Sequence, residues 1–180
     1  KPLPSALALG RAGSLQLVRE FARSKAELLS ALGFNVNLAP VLDLSYPNTD
    51  TFIGNRAFGV DPQAVAETGE IYSTGLREGG VLPTAKHFPG HGGTLQDSHT
   101  HTPTKPLSIE SLESADFVPF KRFATGDPPK LMMVAHISLP KVDESGSPAT
   151  FSRKLIEDQL RKKIGFNGVV ITDDLEMSGA

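Results

Sequence analysis

Two short segments carry side chains that could perform acid–base and nucleophilic chemistry. The first reads KHFPGHG at 86–92 and continues to Asp97, Ser98 and His99. It follows an apolar run at 81–85 and contains several glycines, so its polar groups would leave a buried strand and enter a loop. The Asp-x-His pair formed by Asp97 and His99 suggests an acid/base.

The second segment is the apolar run at 168–172, which ends in Asp173 and Asp174. A carboxylate directly after a parallel strand is well placed to act at the carboxyl edge of a sheet. With the histidine of the first segment, it suggests an acid/base combined with a nucleophile. Either aspartate could be the reactive group while the other caps the turn.

The histidine spacing also admits a metal site, but the surrounding residues argue against one. His87 and His91 are four positions apart, and His99 and His101 are two apart. A proline and a glycine between the first pair disfavour the helix that would place both rings on one face, and the chain has no cysteine. We therefore expect no metal and no other cofactor.

The composition is that of a globular enzyme domain. The chain has 180 residues, of which 39% are hydrophobic, and a net charge of -2. This small charge provides no basic surface for nucleic acid or for an anionic membrane. No apolar run approaches the roughly 20 residues that a membrane span needs. The sequence specifies neither localisation nor oligomeric state.

Short apolar runs alternate along the chain with stretches of helical spacing. The runs near residues 5–9, 36–42, 81–87, 131–136 and 168–173 are predicted to be parallel strands. Helices are predicted to begin at Ser14, Asp61, Ser108 and Ser152, because each is a good N-cap before apolar residues at helical spacing. The third helix is expected to continue to Phe120.

Strands that alternate with helices predict βα units on a parallel sheet, which is an α/β fold. A closed (β/α)8 TIM-type barrel has eight strands and typically about 250 residues. This chain has five predicted strands in 180 residues. We therefore interpret residues 1–180 as one domain that is an incomplete segment of such a barrel, with about five βα units.

Eight segments, in order along the chain, carry a resemblance to a known enzyme family. They lie at residues 2–10, 37–43, 53–59, 86–92, 97–99, 133–136, 148–152 and 165–174. Together they resemble the N-terminal catalytic barrel of glycoside hydrolase family 3, in its β-N-acetylhexosaminidase branch. The DSH segment at 97–99 separates this branch from the broader β-glucosidases of the family. By this resemblance, the early strands and the last strand of the barrel are expected to be missing.

The resemblance implies a retaining exo-β-N-acetylglucosaminidase that acts on a carbohydrate, either peptidoglycan fragments or chitooligosaccharides. Asp173 matches the nucleophile, which would form a glycosyl-enzyme intermediate. His99, oriented by Asp97, matches the acid/base. Imidazole suits this role because it titrates near neutral pH, and the neighbouring carboxylate stabilises its cation.

The resemblance also implies a substrate-binding set. The residues that match it are Arg56, Lys86 and His87. We assign His136 to the same set, although a hydrogen-bonded structural histidine is an equally good interpretation. All four are expected to gather with Asp173 at the carboxyl ends of the strands.

Three alternative functions stay open. A neutral histidine base does not repel an incoming anion as a glutamate would, so the same site could accept phosphate and act as a phosphorylase. A broader β-glucosidase of the same family is a second alternative. A non-enzymatic sugar-binding domain would need no nucleophile at Asp173. Asp43 is expected to be structural and to hold its loop toward Arg56. His91 and His101 are expected either to shape their loop or to be exposed.

Overall fold

A parallel sheet forms the centre of this protein. The computed structural model describes residues 3–46, 52–94, 98, 101–127 and 130–180, and the sheet in these residues has four strands. The strands are β1 (Val36–Asn37), β2 (Leu82–Phe88), β3 (Leu131–Val134) and β4 (Val169–Thr172). Their order is β1-β2-β3-β4, so each strand lies beside its predecessor. This sequential order is that of a barrel segment, whereas a doubly wound sheet reverses its order. The predicted fold class is confirmed.

Two helices precede β1, and the others lie between successive strands. The helices are α1 (Ala6–Arg11), α2 (Leu15–Ala31), α3 (Pro62–Glu78), α4 (Ile109–Ser114), α5 (Phe117–Thr125) and a π-helix (Lys154–Lys163). Short 3-10 turns lie at Gly54–Arg56 and Ala149–Phe151. Within the described ranges, no helix combines the length and the apolar character that crossing a membrane requires.

The predicted helix starts are confirmed by hydrogen bonds from backbone amides to the capping side chains. Ser14 Oγ accepts from the Leu17 amide at 3.2 Å, and Asp61 Oδ1 accepts from the Ala64 amide at 2.8 Å. Ser152 Oγ accepts in the same way near the start of the π-helix, at 3.3 Å from its donor. Each bond satisfies an amide that has no partner within the first helical turn.

The strand predicted at residues 5–9 is wrong, because this segment forms α1. Ser5 caps the helix, with its Oγ 3.2 Å from the Ala8 amide. The four apolar residues are alanines and leucines, which are strong helix formers, and a run this short carries no usable periodicity. The sheet of the described residues therefore has four strands rather than five.

The third predicted helix is divided in two. Helix α4 ends at Ser114, and α5 begins at Phe117. Between them, the buried side chain of Asp116 turns inward to bond Lys105 and Tyr46. The apolar spacing continues across this break, so the sequence pattern gave no sign of it.

The core anchors the carboxyl end of β2. Phe88 is fully buried, its ring stacks on Phe117 at a centroid distance of 5.4 Å, and it meets the edge of Phe120 at 5.6 Å. Such aromatic pairs add roughly 0.5–1.5 kcal/mol each beyond their buried area. Because His87 directly precedes Phe88, this packing fixes the backbone from which the His87 side chain leaves the sheet.

Candidate active site

The carboxyl ends of β2 and β4 bring His87 and Asp173 together. His87 Nε2 lies 4.0 Å from Asp173 Oδ2. Arg56, from the 3-10 turn before α3, places its Nη2 atom 3.5 Å from the same histidine nitrogen. The His87 side chain is 3% exposed and that of Asp173 is 21% exposed, so the carboxylate stays accessible to a ligand. The predicted proximity of these three side chains is confirmed.

Asp43 orients His87. It follows Leu42, whose amide bonds the Lys86 carbonyl at 2.7 Å and so ties this segment to β2. The fully buried Asp43 carboxylate lies 2.6 Å from His87 Nδ1 and accepts from the His91 amide at 2.7 Å. A carboxylate only accepts, so Nδ1 carries the proton and Nε2 faces the site. We expected Asp43 to hold its loop toward Arg56, but its bonded partners are these two histidines.

The charge of Asp43 is stabilised by the same histidines. Burial by itself raises the pKa of the Asp43 carboxyl, but the His87 imidazole and the His91 ring and amide lower it to about 2. Favourable charge and hydrogen bonding to the ionised form therefore outweigh desolvation. Asp43 is an anion at neutral pH, which is the form that accepts the hydrogen bond from His87 Nδ1.

Lys86 is a half-buried cation beside the site. Burial and the neighbouring Arg56 guanidinium lower the pKa of Lys86, and the Asp173 and Asp43 carboxylates oppose that shift. Its ammonium group has no hydrogen-bond partner among the described residues. Lys86 and Arg56 both line a cleft of about 260 Å³ whose other walls are mainly apolar. Neither His87 nor Asp173 lines this cleft, so it adjoins the site through Arg56 and Lys86 alone.

The structure distinguishes Asp173 from Asp174. The Asp173 amide donates to the Val134 carbonyl at 3.0 Å, continuing the pairing of β4 with β3. Asp174 Oδ1 accepts from the Glu176 amide at 2.9 Å and so caps the following turn. Asp173 Oδ1 accepts from the Asp174 amide at 3.0 Å, whereas its Oδ2 faces His87. Asp173, not Asp174, presents a carboxylate oxygen to the site.

His136 lies beneath this turn and is completely buried. Its Nε2 is 2.9 Å from the Asp174 carbonyl oxygen, and its Nδ1 is 2.8 Å from Thr150 Oγ1. Both ring nitrogens are thus bonded to the protein. This geometry fits the structural alternative for His136 and leaves neither nitrogen unbonded for a sugar hydroxyl.

The loop after β2 is held from within by His91. Its buried ring bonds Thr94 Oγ1 through Nδ1 and Ser98 Oγ through Nε2, each at 2.9 Å. Burial lowers the pKa of His91, which favours the neutral ring. Of the two roles predicted for His91, the buried and bonded ring fits loop-shaping and not exposure. The predicted acid/base His99 and its partner Asp97 lie outside the described residues.

Ser98, the described residue between Asp97 and His99, is joined to the chain segment that follows the Asp173 turn. The Gly179 amide donates to the Ser98 carbonyl at 3.0 Å. Thr102 Oγ1 donates to the Gly179 carbonyl at 3.1 Å. A Cβ atom on Gly179 would lie 2.5 Å from the Ser98 carbonyl oxygen, so only glycine permits this approach.

A buried ion pair supports the same loop and was missed by the sequence argument. Lys105 Nζ lies 2.6 Å from Asp116 Oδ1 and 3.0 Å from the Gly90 carbonyl oxygen. Tyr46 donates to the other carboxylate oxygen of Asp116 at 3.2 Å. Burial raises the pKa of Asp116, and the Lys105 ammonium opposes that shift. Neither the spacing nor the residue types of Tyr46, Lys105 and Asp116 indicate that these side chains are in contact, so no sequence pattern could have predicted the ion pair.

Metal-binding geometry is not found in the part of the chain that the structure describes. No three or more histidine, aspartate or glutamate side chains there converge to hold an ion. The described site thus contains one accessible carboxylate, one oriented imidazole and two cations.

Comparisons with known proteins agree on one family. The model of the "Glycosyl hydrolase family 3 N terminal domain" matches residues 2–180. The chain is 41% identical over 165 residues to a β-hexosaminidase of Thiobacillus denitrificans, matching 92% of this chain and 45% of that protein. A β-hexosaminidase of Neisseria gonorrhoeae is 42% identical over 158 residues, matching 88% of this chain and 43% of that protein.

Solved structures give the same result. The chain superposes with a TM-score of 0.92 on a family 3 β-N-acetylglucosaminidase from a Paenibacillus species, at 39% identity, covering 99% of this chain and 33% of that one. It superposes with a TM-score of 0.90 on NagZ from Neisseria gonorrhoeae, at 38% identity, covering 97% and 52%. The chain therefore spans about half the length of these relatives, or less.

Proposed function

Because this chain belongs to glycosyl hydrolase family 3, within its N-terminal domain, we propose that the full-length protein is a retaining exo-β-N-acetylglucosaminidase. Its substrates are peptidoglycan fragments or chitooligosaccharides with a terminal β-linked N-acetylhexosamine. The proposal rests on the position of Asp173, whose Oδ2 lies 4.0 Å from His87 Nε2 at the accessible end of β4. We also propose that further segments of the protein complete the barrel.

Asp173 is the nucleophile in this proposal. Its Oδ2 attacks the anomeric carbon while the glycosidic C–O bond breaks, which forms a glycosyl ester. Water then attacks the same carbon and releases the carboxylate, and two inversions give net retention. The bond from the Asp174 amide to Oδ1 supports this role, because it holds one oxygen and leaves the other directed at the site.

His99 is the acid/base, oriented by Asp97. It protonates the departing glycosidic oxygen in the first step and takes a proton from the attacking water in the second. Most glycosidases use a second carboxylate for this purpose, so the enzyme would be an exception. An imidazole with an aspartate partner can both donate and accept a proton near neutral pH.

Arg56, Lys86 and His87 bind the sugar hydroxyls. Charged donors make stronger hydrogen bonds to hydroxyls than neutral ones do, and such bonds can tighten as the ring flattens toward the transition state. Two observations support these roles: Arg56 and Lys86 line one cleft, and His87 Nε2 lies beside both Arg56 and the Asp173 carboxylate.

The decisive experiment compares Asp173→Asn with Asp174→Asn in the full-length protein. We expect Asp173→Asn to lower kcat on 4-nitrophenyl-GlcNAc roughly 10⁴-fold or more, because an amide is a far poorer nucleophile. Asp174→Asn is the matched control and should retain most activity, since its side chain caps a turn. Mass spectrometry of protein inactivated by a fluorinated GlcNAc fluoride should place the sugar on Asp173. A sugar on Asp174, or full activity in Asp173→Asn, would refute the proposal.

A second measurement separates the acid/base and the alternative functions. His99→Ala should lower kcat/KM less on nitrophenyl substrates than on natural glycans, because nitrophenolate departs with little protonation. Assays with and without phosphate would reveal a phosphorylase through formation of GlcNAc 1-phosphate. Sugar binding without any turnover would instead indicate the non-enzymatic alternative.

A further inference from the structure

The protonation of His136 is determined by its two partners. The Asp174 carbonyl can only accept, so the Nε2 atom at 2.9 Å must carry a proton. In the neutral ring, Nδ1 is then an acceptor, and the Thr150 hydroxyl at 2.8 Å is its donor. Thr150 Oγ1 also lies 3.0 Å from the Ala135 carbonyl, within reach of the same hydroxyl. The Asp174 carbonyl therefore fixes the proton on Nε2, and the Thr150 hydroxyl holds the other ring nitrogen and with it the direction of the ring.

This carbonyl belongs to the residue that holds the Asp173 carboxylate. The Asp174 amide bonds Asp173 Oδ1 at 3.0 Å, while the Asp174 carbonyl bonds His136. The two groups flank one Cα atom, so fixing the carbonyl restricts the direction of the amide. With the Asp173 amide paired to the Val134 carbonyl at 3.0 Å, the turn is held on both sides of the carboxylate.

We infer that His136 is a positioning residue for the nucleophile, acting through the Asp174 peptide groups with its ring held in place by Thr150. This inference rests on the proposed role of Asp173. It replaces direct substrate binding by His136, because both ring nitrogens are occupied and the side chain is fully buried. Loss of the contact lets the carboxylate leave its attack geometry, and a misplacement of about 1 Å can cost roughly 10²-fold in rate.

The test uses substitutions at both ends of the contact in the full-length protein. His136→Leu removes the donor to the Asp174 carbonyl, whereas His136→Gln retains an amide donor at the position of Nε2. Thr150→Val removes the hydroxyl, and Thr150→Ser restores it. Thr74→Val is a matched control, because Thr74 bonds a helix carbonyl on α3, away from the site.

The readout is the rate of glycosyl-enzyme formation with the fluorinated inactivator, together with KM, Tm and the dependence of rate on leaving group. We expect a fall of about 10²-fold for His136→Leu and about tenfold for Thr150→Val. His136→Gln should lose less than His136→Leu, Thr150→Ser should recover the rate, and Thr74→Val should not change it. KM and leaving-group dependence should stay near wild type, because sugar binding and proton donation use other residues.

Unchanged glycosyl-enzyme formation in Thr150→Val would overturn the inference, and so would a change confined to KM. If His136→Leu does not fold, the Thr150→Val and Thr150→Ser pair decides alone. These outcomes are distinct from failure of the proposed function, in which Asp173→Asn itself would keep its turnover.

Discussion

Asp43 shows how one buried carboxylate sets the geometry and the charge of a site. Its pKa of about 2 in the folded protein lies below the ordinary value of 3.8. As the pH falls, the unfolded chain therefore takes up a proton first. The stabilisation from Asp43 is complete above roughly pH 4 and is lost as the pH falls toward 2, a loss on the order of 2 kcal/mol.

We therefore predict that Asp43→Asn lowers the free energy of unfolding at neutral pH, and that the difference from wild type shrinks between about pH 4 and pH 2. Urea unfolding of both proteins at several pH values measures this difference. Taking the difference also removes the opposite contribution of Asp116, whose pKa is raised by burial. A difference that stays constant down to pH 2 would contradict the assigned contacts.

Only part of the site could be predicted from residue positions. His87 and Asp173 follow apolar runs, and parallel strands share one carboxyl edge, so their proximity followed from the pattern. The partners of Asp43 could not be predicted, because a bond between residues 44 positions apart depends on how the segment after β1 packs beside β2. The same holds for Thr150, whose hydroxyl faces His136 from a separate turn.

At the scale of elements, the α2–α3 pair depends on small residues. A Cβ atom on Gly75 would lie 2.4 Å from the Arg19 carbonyl oxygen, so α3 lies against the backbone of α2. We predict that Gly75→Ala destabilises the protein by about 1–3 kcal/mol, since overpacking outweighs the better helix propensity of alanine. Gly59→Ala is the control, because its Cβ would meet nothing within 4 Å. Thermal unfolding measures both, and equal Tm values would show that the helices can move apart.

Element type was predictable where a cap and a long periodic stretch agreed, as they do for α2 and α3. It was not predictable for α1, whose apolar run is too short to show a period. The break between α4 and α5 depends on Asp116, which leaves the helical path to reach Lys105. Local pattern cannot register a tertiary ion pair, so the sequence predicted one continuous helix.

At the scale of the whole molecule, the described sheet is open, because each of its two edge strands, β1 and β4, pairs with a single neighbour. In the described residues β4 pairs only with β3, and Val169 on it is 59% exposed. We predict that residues 1–180 expressed alone will be inactive and will self-associate or fold poorly, because unpaired strand edges recruit other chains. Size-exclusion chromatography and 4-nitrophenyl-GlcNAc hydrolysis, beside the full-length protein, test this. A monomeric, active 180-residue chain would refute the proposal that further segments complete the barrel.

The bond between the buried residues Gly179 and Ser98 makes the length of the stretch after Asp173 depend on the length of the loop after β2. An insertion or deletion between Asp173 and Gly179 would change which residue bonds the Ser98 carbonyl. In homologous enzymes, the stretch between Asp173 and Gly179 and the loop after β2 should therefore change in length together or not at all. Anyone who grafts a longer loop to alter leaving-group preference would need to redesign the stretch after the nucleophile as well.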